Sequence, residues 1–167
     1  MKPCRKTALR LAGAVLVVVA DQLTKHLART CLASGSPVAV IPGFFNFALV
    51  FNEGAAWGMM QGFRYGFVIL AVAMLAFLAM RHEALFGASK VGGVAAALLC
   101  GGIVGNLIDR VLAGRVTDFL DFHYGAWHFP CFNIADSAIC IGVALFFLIS
   151  FFQQKPHAEC GMSQVNK

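Results

Sequence analysis

The sequence predicts an all-α polytopic membrane protein with four transmembrane helices and a small extracytoplasmic β-rich element. Three observations carry that expectation. Of the 167 residues, 59% are hydrophobic and only 13% charged, against about 45–50% and about 25% in an ordinary soluble domain. Four apolar runs, each bounded by charged or polar residues, approach the roughly 20 residues that cross a hydrocarbon core. Between the first two runs, FFNFALVFN (44–52) has the aromatic and β-branched composition of short strands.

The length suits one domain, expected as a membrane unit over 1–152 followed by a disordered cytoplasmic tail over 153–167. Sixteen Phe against two Tyr and two Trp fit a lipid-facing surface, since hydroxyl and indole groups belong at the membrane edge. The first run follows Lys2, Arg5, Lys6 and Arg10. Val18-x-Ala20 resembles a cleavage site, but three later runs favour an uncleaved span over about 9–27. Asp21, Thr24 and Lys25 lie at its far end, and Asp21 and Lys25, four apart, share a helix face on which they can pair.

The remaining spans are expected at about 65–80, 91–108 and 137–152, with uncharged windows of 16, 18 and 16 residues. Sixteen helical residues reach only ~24 Å across a ~30 Å core, so flanking polar groups sit at the membrane edge. Arg64, Arg81 and Lys90 are long enough to snorkel outward. Asp136 is too short, which holds its carboxyl at the interface. In the third span, Gly101 and Gly105 offer a flat face for close helix contact.

With both termini on one side, that side holds Lys2, Arg5, Lys6, Arg10, Arg81, Lys90, Lys155 and Lys167 of the thirteen basic residues. The positive-inside rule makes it cytoplasmic. The loops over about 28–63 and 109–136 are then external and hold most of the carboxylates. The first loop has a Pro42-Gly43 turn, a Glu53-Gly54 turn and Trp57 at headgroup level. The net charge of +5 has no basic run beside a stacking platform, so no nucleic-acid partner is expected. Six cysteines show no C-x-x-C spacing. Cys31 and Cys131 both fall in external segments, and spacing alone does not make them a disulfide.

The chemistry concentrates in 101–136, which holds Asp109, Asp118, Asp121 and Asp136, four of eight carboxylates. Carboxylates at membrane depth are costly and point to function. Two of them within hydrogen-bonding distance cannot both ionise easily. The ionised member can then activate water while the protonated one polarises a carbonyl. Asp118 and Asp121 precede Asp136 by 18 and 15 residues, enough chain to turn back. Spacing does not choose between them.

Plainer roles compete at each position. Asp109-Arg110 reads as an ion pair anchoring a helix end, Asp21–Lys25 as another, Asp136 as a helix N-cap and Asp121 as a solvated interfacial charge. Asn106 and Asn133 suit buried backbone groups. His123, His128 and Cys131 match no common zinc framework, and no serine sits in a nucleophile turn beside Lys25. A carboxylate-dependent transporter or proton-relay subunit is the competing function. It would need charges through the bilayer depth, and the inner halves of the spans have no carboxylate.

On these residues the chain resembles the lipoprotein signal peptidases, the bacterial type II signal peptidases. Five blocks match in order: Asp21-Gln22-x-Thr24-Lys25, Phe51-Asn52-x-Gly54-Ala55-Ala56-Trp57-Gly58, Gly101-Gly102-x-x-Gly105-Asn106-x-x-Asp109-Arg110, Val116-x-Asp118-Phe119 and Phe129-Pro130-x-Phe132-Asn133-x-Ala135-Asp136-Ser137. The resemblance implies an aspartyl endopeptidase of the bacterial inner membrane, working without metal or cofactor. It would cut diacylglyceryl-modified prolipoproteins before the lipidated cysteine. By motif position, Asp118 and Asp136 would be the catalytic pair. Asn52, Gly54, Asn106, Asp109, Arg110 and Asn133 would line or brace the site, and Asp21–Lys25 would be a structural ion pair. The expected partners are the substrate and membrane lipids, with the chain monomeric, both termini cytoplasmic and the site extracytoplasmic. The antibiotic globomycin would occupy the same cleft.

Overall fold

A computed structural model describes residues 3–54, 59–87 and 89–153. The Ala55–Gly58 half of the second motif block, with Trp57, and the tail beyond 153 lie outside the described residues. In chain order the elements are α1 (Pro3–Cys31), β1 (Val38–Ile41), β2 (Phe45–Asn52), α2 (Arg64–Met80), α3 (His82–Phe86), α4 (Lys90–Leu112), β3 (Val116–Tyr124), β4 (Trp127–His128) and α5 (Ile134–Gln153). Three helices are long and apolar enough to cross a membrane: α1 over Thr7–Cys31, α4, and α5 over Ile134–Phe152. The 17-residue α2 is shorter, about 26 Å at 1.5 Å per residue.

Helices α1, α4 and α5 begin earlier or run further than their uncharged windows, because polar residues at the edges keep helical geometry. Asp109 and Arg110 belong to α4, and Asp136 lies within the first turn of α5. The short α3 was not expected. It buries Phe86 against Leu78, Ala95, Leu99 and Ile149 at one end of the bundle. Outward faces expose apolar side chains such as Leu16 and Val19 on α1, Ile69 and Leu70 on α2, and Phe147 and Phe151 on α5. Large apolar faces of this kind suit contact with lipid.

Helix α4 is the packing centre, and its small residues explain why. A Cβ on Gly101 would stand 2.6 Å from the Val17 Cβ of α1, and one on Gly102 would stand 2.5 Å from the Ala135 carbonyl of α5. Both neighbours approach the α4 backbone more closely than any side chain would allow. The start of α4 is capped by Ser89, whose Oγ accepts from the Gly92 amide at 2.9 Å.

The sheet is antiparallel, in the order β1-β2-β3-β4. Its first hairpin turns at Pro42-Gly43, where Gly43 has φ +79° and Phe44 N donates to Ile41 O at 3.0 Å. Proline then glycine at the two central positions suits a type II turn. Strand β3 lies in the segment expected to be a loop over 109–136. It pairs with β2 through Asn52↔Val116, Val50↔Asp118 and Asn46↔Asp121. Arg29 of α1 donates to Thr117 Oγ1 at 2.9 Å and so ties the sheet to the end of the bundle. Cys31 and Cys131 are both free thiols.

Candidate active site

Strand geometry sorts the aspartates. Side chains alternate across a strand, and the bulge in the β2–β3 ladder adds its extra residue to β2, between Phe47 and Val50. Asp118 and Asp121, three apart on the regular strand, therefore leave β3 on opposite faces. Asp121 is not the solvated charge expected of it. It is buried, accepting from Asn46 Nδ2 at 3.0 Å and lying 2.8 Å from His128 Nδ1. Burial opposes its ionisation, but the hydrogen bonds from His128 and Asn46 outweigh that and hold its carboxyl below the usual range. The His123 and His128 rings stack at 4.9 Å. Among the described residues no three His, Cys, Asp or Glu side chains converge as metal ligands.

Asp118 meets α5 because the chain doubles back. After β4, the Phe132 carbonyl accepts from the Phe119 and Leu120 amides at 3.0 and 2.9 Å, and Phe132 N donates to Leu120 O at 3.2 Å. That pairing sets Asn133 beside Asp118 immediately before α5 begins. Asn133 Nδ2 donates to Asp118 Oδ1 at 2.6 Å. Its Oδ1 accepts from the Asp136 amide at 3.0 Å, while Asp136 Oδ2 accepts from the Asn133 amide at 3.2 Å. The reciprocal bonds form a capping box. Asn133, rather than Asp136, thus takes the N-cap position expected of the aspartate. A single asparagine touches both carboxylates.

The other expected site residues divide into two groups. Asn52 Nδ2 donates to Asp118 Oδ2 at 3.1 Å, and its Oδ1 accepts from Gly54 N at 2.9 Å. Asn106 Nδ2 donates to Asp136 Oδ1 at 2.7 Å. Arg110 reaches the Gly54 carbonyl at 3.4 Å and stacks over Phe67 at 5.0 Å. Asp109 points the other way and is not paired with Arg110. Its Oδ2 accepts from Thr117 N at 3.1 Å and faces Lys25 Nζ at 3.3 Å. Neighbours in a helix point about 100° apart, so the expected Asp109–Arg110 pair gives way to contacts on two faces.

Asp21 and Lys25 form the expected ion pair at 2.8 Å, with both side chains 0% exposed. Asp21 Oδ1 also accepts from the Ala135 amide at 2.9 Å, so α1 satisfies an unpaired donor at the start of α5. Sequence reasoning gave no role to Gln22, whose Nε2 donates to Asp21 Oδ2, Gly105 O and Asp109 Oδ1 at 3.1–3.2 Å. The signals available were its place at a span's polar end and in the first motif block, beside Asp21.

Asp118 is 2% exposed. Burial, and then the charge of Asp136, raise its carboxyl to about 6 from 3.8, against the Asn52 and Asn133 hydrogen bonds and the Lys25 charge. The arrangement can hold a proton on one carboxyl up to about pH 6, well above the usual carboxylate range, beside a second carboxylate.

Comparison with known proteins supplies the family. The description Signal peptidase (SPase) II matches residues 13–152. Lipoprotein signal peptidase of Paraburkholderia phymatum is 49% identical over 142 residues, covering 81% of this chain and 82% of its own. That of Syntrophotalea carbinolica is 44% identical over 138 residues, covering 81% and 86%. A solved bacterial membrane enzyme, determined in meso at 2.3 Å resolution, superposes with a TM-score of 0.81 at 36% identity, covering 93% of this chain and 95% of its own. A family match over residues 13–152, together with relatives at 44–49% identity over most of the chain, settles the membership: the chain belongs to the signal peptidase II family.

Proposed function

We propose that the chain is an aspartyl endopeptidase that removes the signal peptide from diacylglyceryl-modified prolipoproteins, cutting before the lipidated cysteine. The observation that carries this reading is Asn133, which hydrogen-bonds Asp118 through its side chain and Asp136 through its backbone amide. Asp118 holds the proton and Asp136 is the ionised partner, in the first turn of α5 where a helix N-terminus favours negative charge. Asp136 takes a proton from water as that water attacks the scissile carbonyl, and Asp118 gives its proton to the carbonyl oxygen. As the tetrahedral intermediate collapses, Asp136 passes its proton to the leaving amine and a hydroxyl of the intermediate returns a proton to Asp118, which restores the pair. Asn52, Asn106 and Asn133 hold the carboxyls in place, while Arg110 braces Gly54.

The chain acts as a monomer in the bacterial inner membrane. Helices α1, α2, α4 and α5 are its four spans, both termini are cytoplasmic, and 153–167 is a tail outside the peptidase unit over 1–152. The sheet and the pair lie on the extracytoplasmic side, at the depth where a lipid-anchored substrate presents its scissile bond. Lipid lies against the exposed faces, and apolar grooves between helices receive the acyl chains and the signal helix. Asp118→Asn and Asp136→Asn, assayed on a diacylated precursor, should each lose at least ~100-fold in turnover while melting as the parent does. Substantial cleavage by either would remove the pair from the mechanism. Cleavage should also persist with a chelator present.

A further inference from the structure

Lys25 is the largest fully buried side chain among the described residues, and no step of the proposed cleavage uses it. Its Nζ faces Asp21 Oδ2 at 2.8 Å, Asp109 Oδ2 at 3.3 Å and Asn106 Oδ1 at 2.9 Å. An ion pair alone would need only the two carboxylates. The third contact reaches the site.

An ammonium has three donors and no acceptor, so the atom of Asn106 that meets Lys25 must be its oxygen. That choice fixes the whole carboxamide. Its NH2 then points to Asp136, donating to Oδ1 at 2.7 Å, and its oxygen also accepts from Asn133 Nδ2 at 3.2 Å. Asn133 Nδ2 in turn donates to Asp118 Oδ1 at 2.6 Å. One ammonium is therefore one hydrogen-bonded residue from Asp136 and two from Asp118. Turned over, Asn106 would present its oxygen to the Asp136 carboxylate and its NH2 to Lys25 and Asn133, setting like against like at three contacts.

Resting on the peptidase reading above, we propose that Lys25 is a positioning residue for the aspartate pair. Its ammonium fixes which way Asn106 faces and supplies the buried positive charge against which the two carboxylates are set. The charged groups around it are Asp21 on α1, Asp109 and Arg110 on α4, Asp118 on β3 and Asp136 on α5. Arg110 is the other cation near the pair, held on Gly54 and Phe67. Among the described residues Lys25 is the cation that meets the Asn106 side chain, whereas Arg110 reaches the same residue at its backbone carbonyl, at 3.5 Å. Consistent with this, the Lys25 charge lowers the Asp118 carboxyl against the larger effect of burial.

Removing Lys25 alone would strand two buried carboxylates and could unfold the chain, so the test is made in the Asp21→Asn background. The full chain carrying Asp21→Asn is compared with Asp21→Asn/Lys25→Met, with Asn106→Ala added to each. Cleavage of a diacylated precursor is followed across pH, and melting temperature is recorded. Lys25→Met should lower kcat by ~10- to 100-fold with KM changed less than about 2-fold. It should move the limbs of the kcat/KM profile up by roughly one pH unit. Once Asn106 is alanine, Lys25→Met should lower kcat much less.

Equal losses with and without Asn106, and limbs that do not move, would overturn the proposal and leave Lys25 a scaffold ion pair. A folded double variant with the kcat of its background would do the same. Failure of the peptidase reading looks different: Asp118→Asn or Asp136→Asn would still cleave, whatever Lys25 does.

Discussion

The acid role proposed for Asp118 carries a pH dependence that can be measured. The carboxyl lies at about 6 when folded against 3.8 in an open chain, so the folded state keeps a proton that the unfolded state has released. Between those values the native chain binds more protons, and stability falls as pH rises through the window. The sign is opposite to that of a salt-bridged aspartate. If Asp118 donates to the scissile carbonyl, kcat/KM should decline with an alkaline limb near pH 6, measured on a diacylated precursor between about pH 4 and 9. The limb in kcat should lie higher, because bound substrate desolvates the carboxyl further. A kcat/KM profile flat to pH 8 would assign the proton elsewhere. The Asp121 carboxyl lies below its usual range, so it contributes no limb there.

Helix α4 fixes the distances on which that chemistry depends. Gly105 is buried where α1 and α5 meet that helix: a Cβ there would stand 2.6 Å from Asp21 Oδ2 and 3.2 Å from the Ala135 Cβ. Gly105→Ala should displace Asp21 from the Ala135 amide and shift the first turn of α5, which carries Asp136. Overpacking of this kind costs about 1–3 kcal/mol, so a lower melting temperature and a loss of cleavage should appear together. Gly93→Ala on the same helix meets only the Arg10 side chain, at 3.3 Å, and should be tolerated in both assays. Parental activity in Gly105→Ala would mean that α1 and α5 are not held by this contact. The glycine face was legible in the sequence because Gly101 and Gly105 lie four apart. Strand β3 was not. VTDFLDFHY carries two aspartates and sits between glycines, which masks its alternation, and its partner β2 is more than 60 residues away. Without the strand, nothing separated Asp118 from Asp121 except family resemblance. Asp109 was misjudged for a related reason: adjacency in sequence suggested Arg110, while the helix turned Asp109 toward Lys25 on α1.

At the scale of the molecule, the two ends of the bundle differ in charge and build. One end holds Arg81, the start of α4 at Lys90, and Arg10, which contacts His82 and donates to Gly87 O at 2.8 Å. The other holds the sheet and the carboxylates Asp118, Asp121 and Asp136. That division was readable from charge placement, since basic residues gather on the side they keep during insertion. It predicts which thiols an impermeant maleimide reaches. Cys31 is exposed beside the sheet, whereas Cys160 lies in the tail that the basic residues assign to the cytoplasm. In cells with a permeabilised outer membrane, a variant keeping Cys31 alone should label at once. One keeping Cys160 alone should label only after the inner membrane is opened. Cys131, at the sheet end but half-buried, has its thiol pushed up to about 12 by burial and then by the charges of Asp118 and Asp121. A maleimide reacts with the thiolate, so a variant keeping Cys131 alone should label slowly in both preparations. Prompt labelling of Cys160 in unopened cells, with Cys31 protected, would invert the topology. The aspartate pair would then face the cytoplasm, where an exported lipoprotein precursor could not present its anchored cysteine to it.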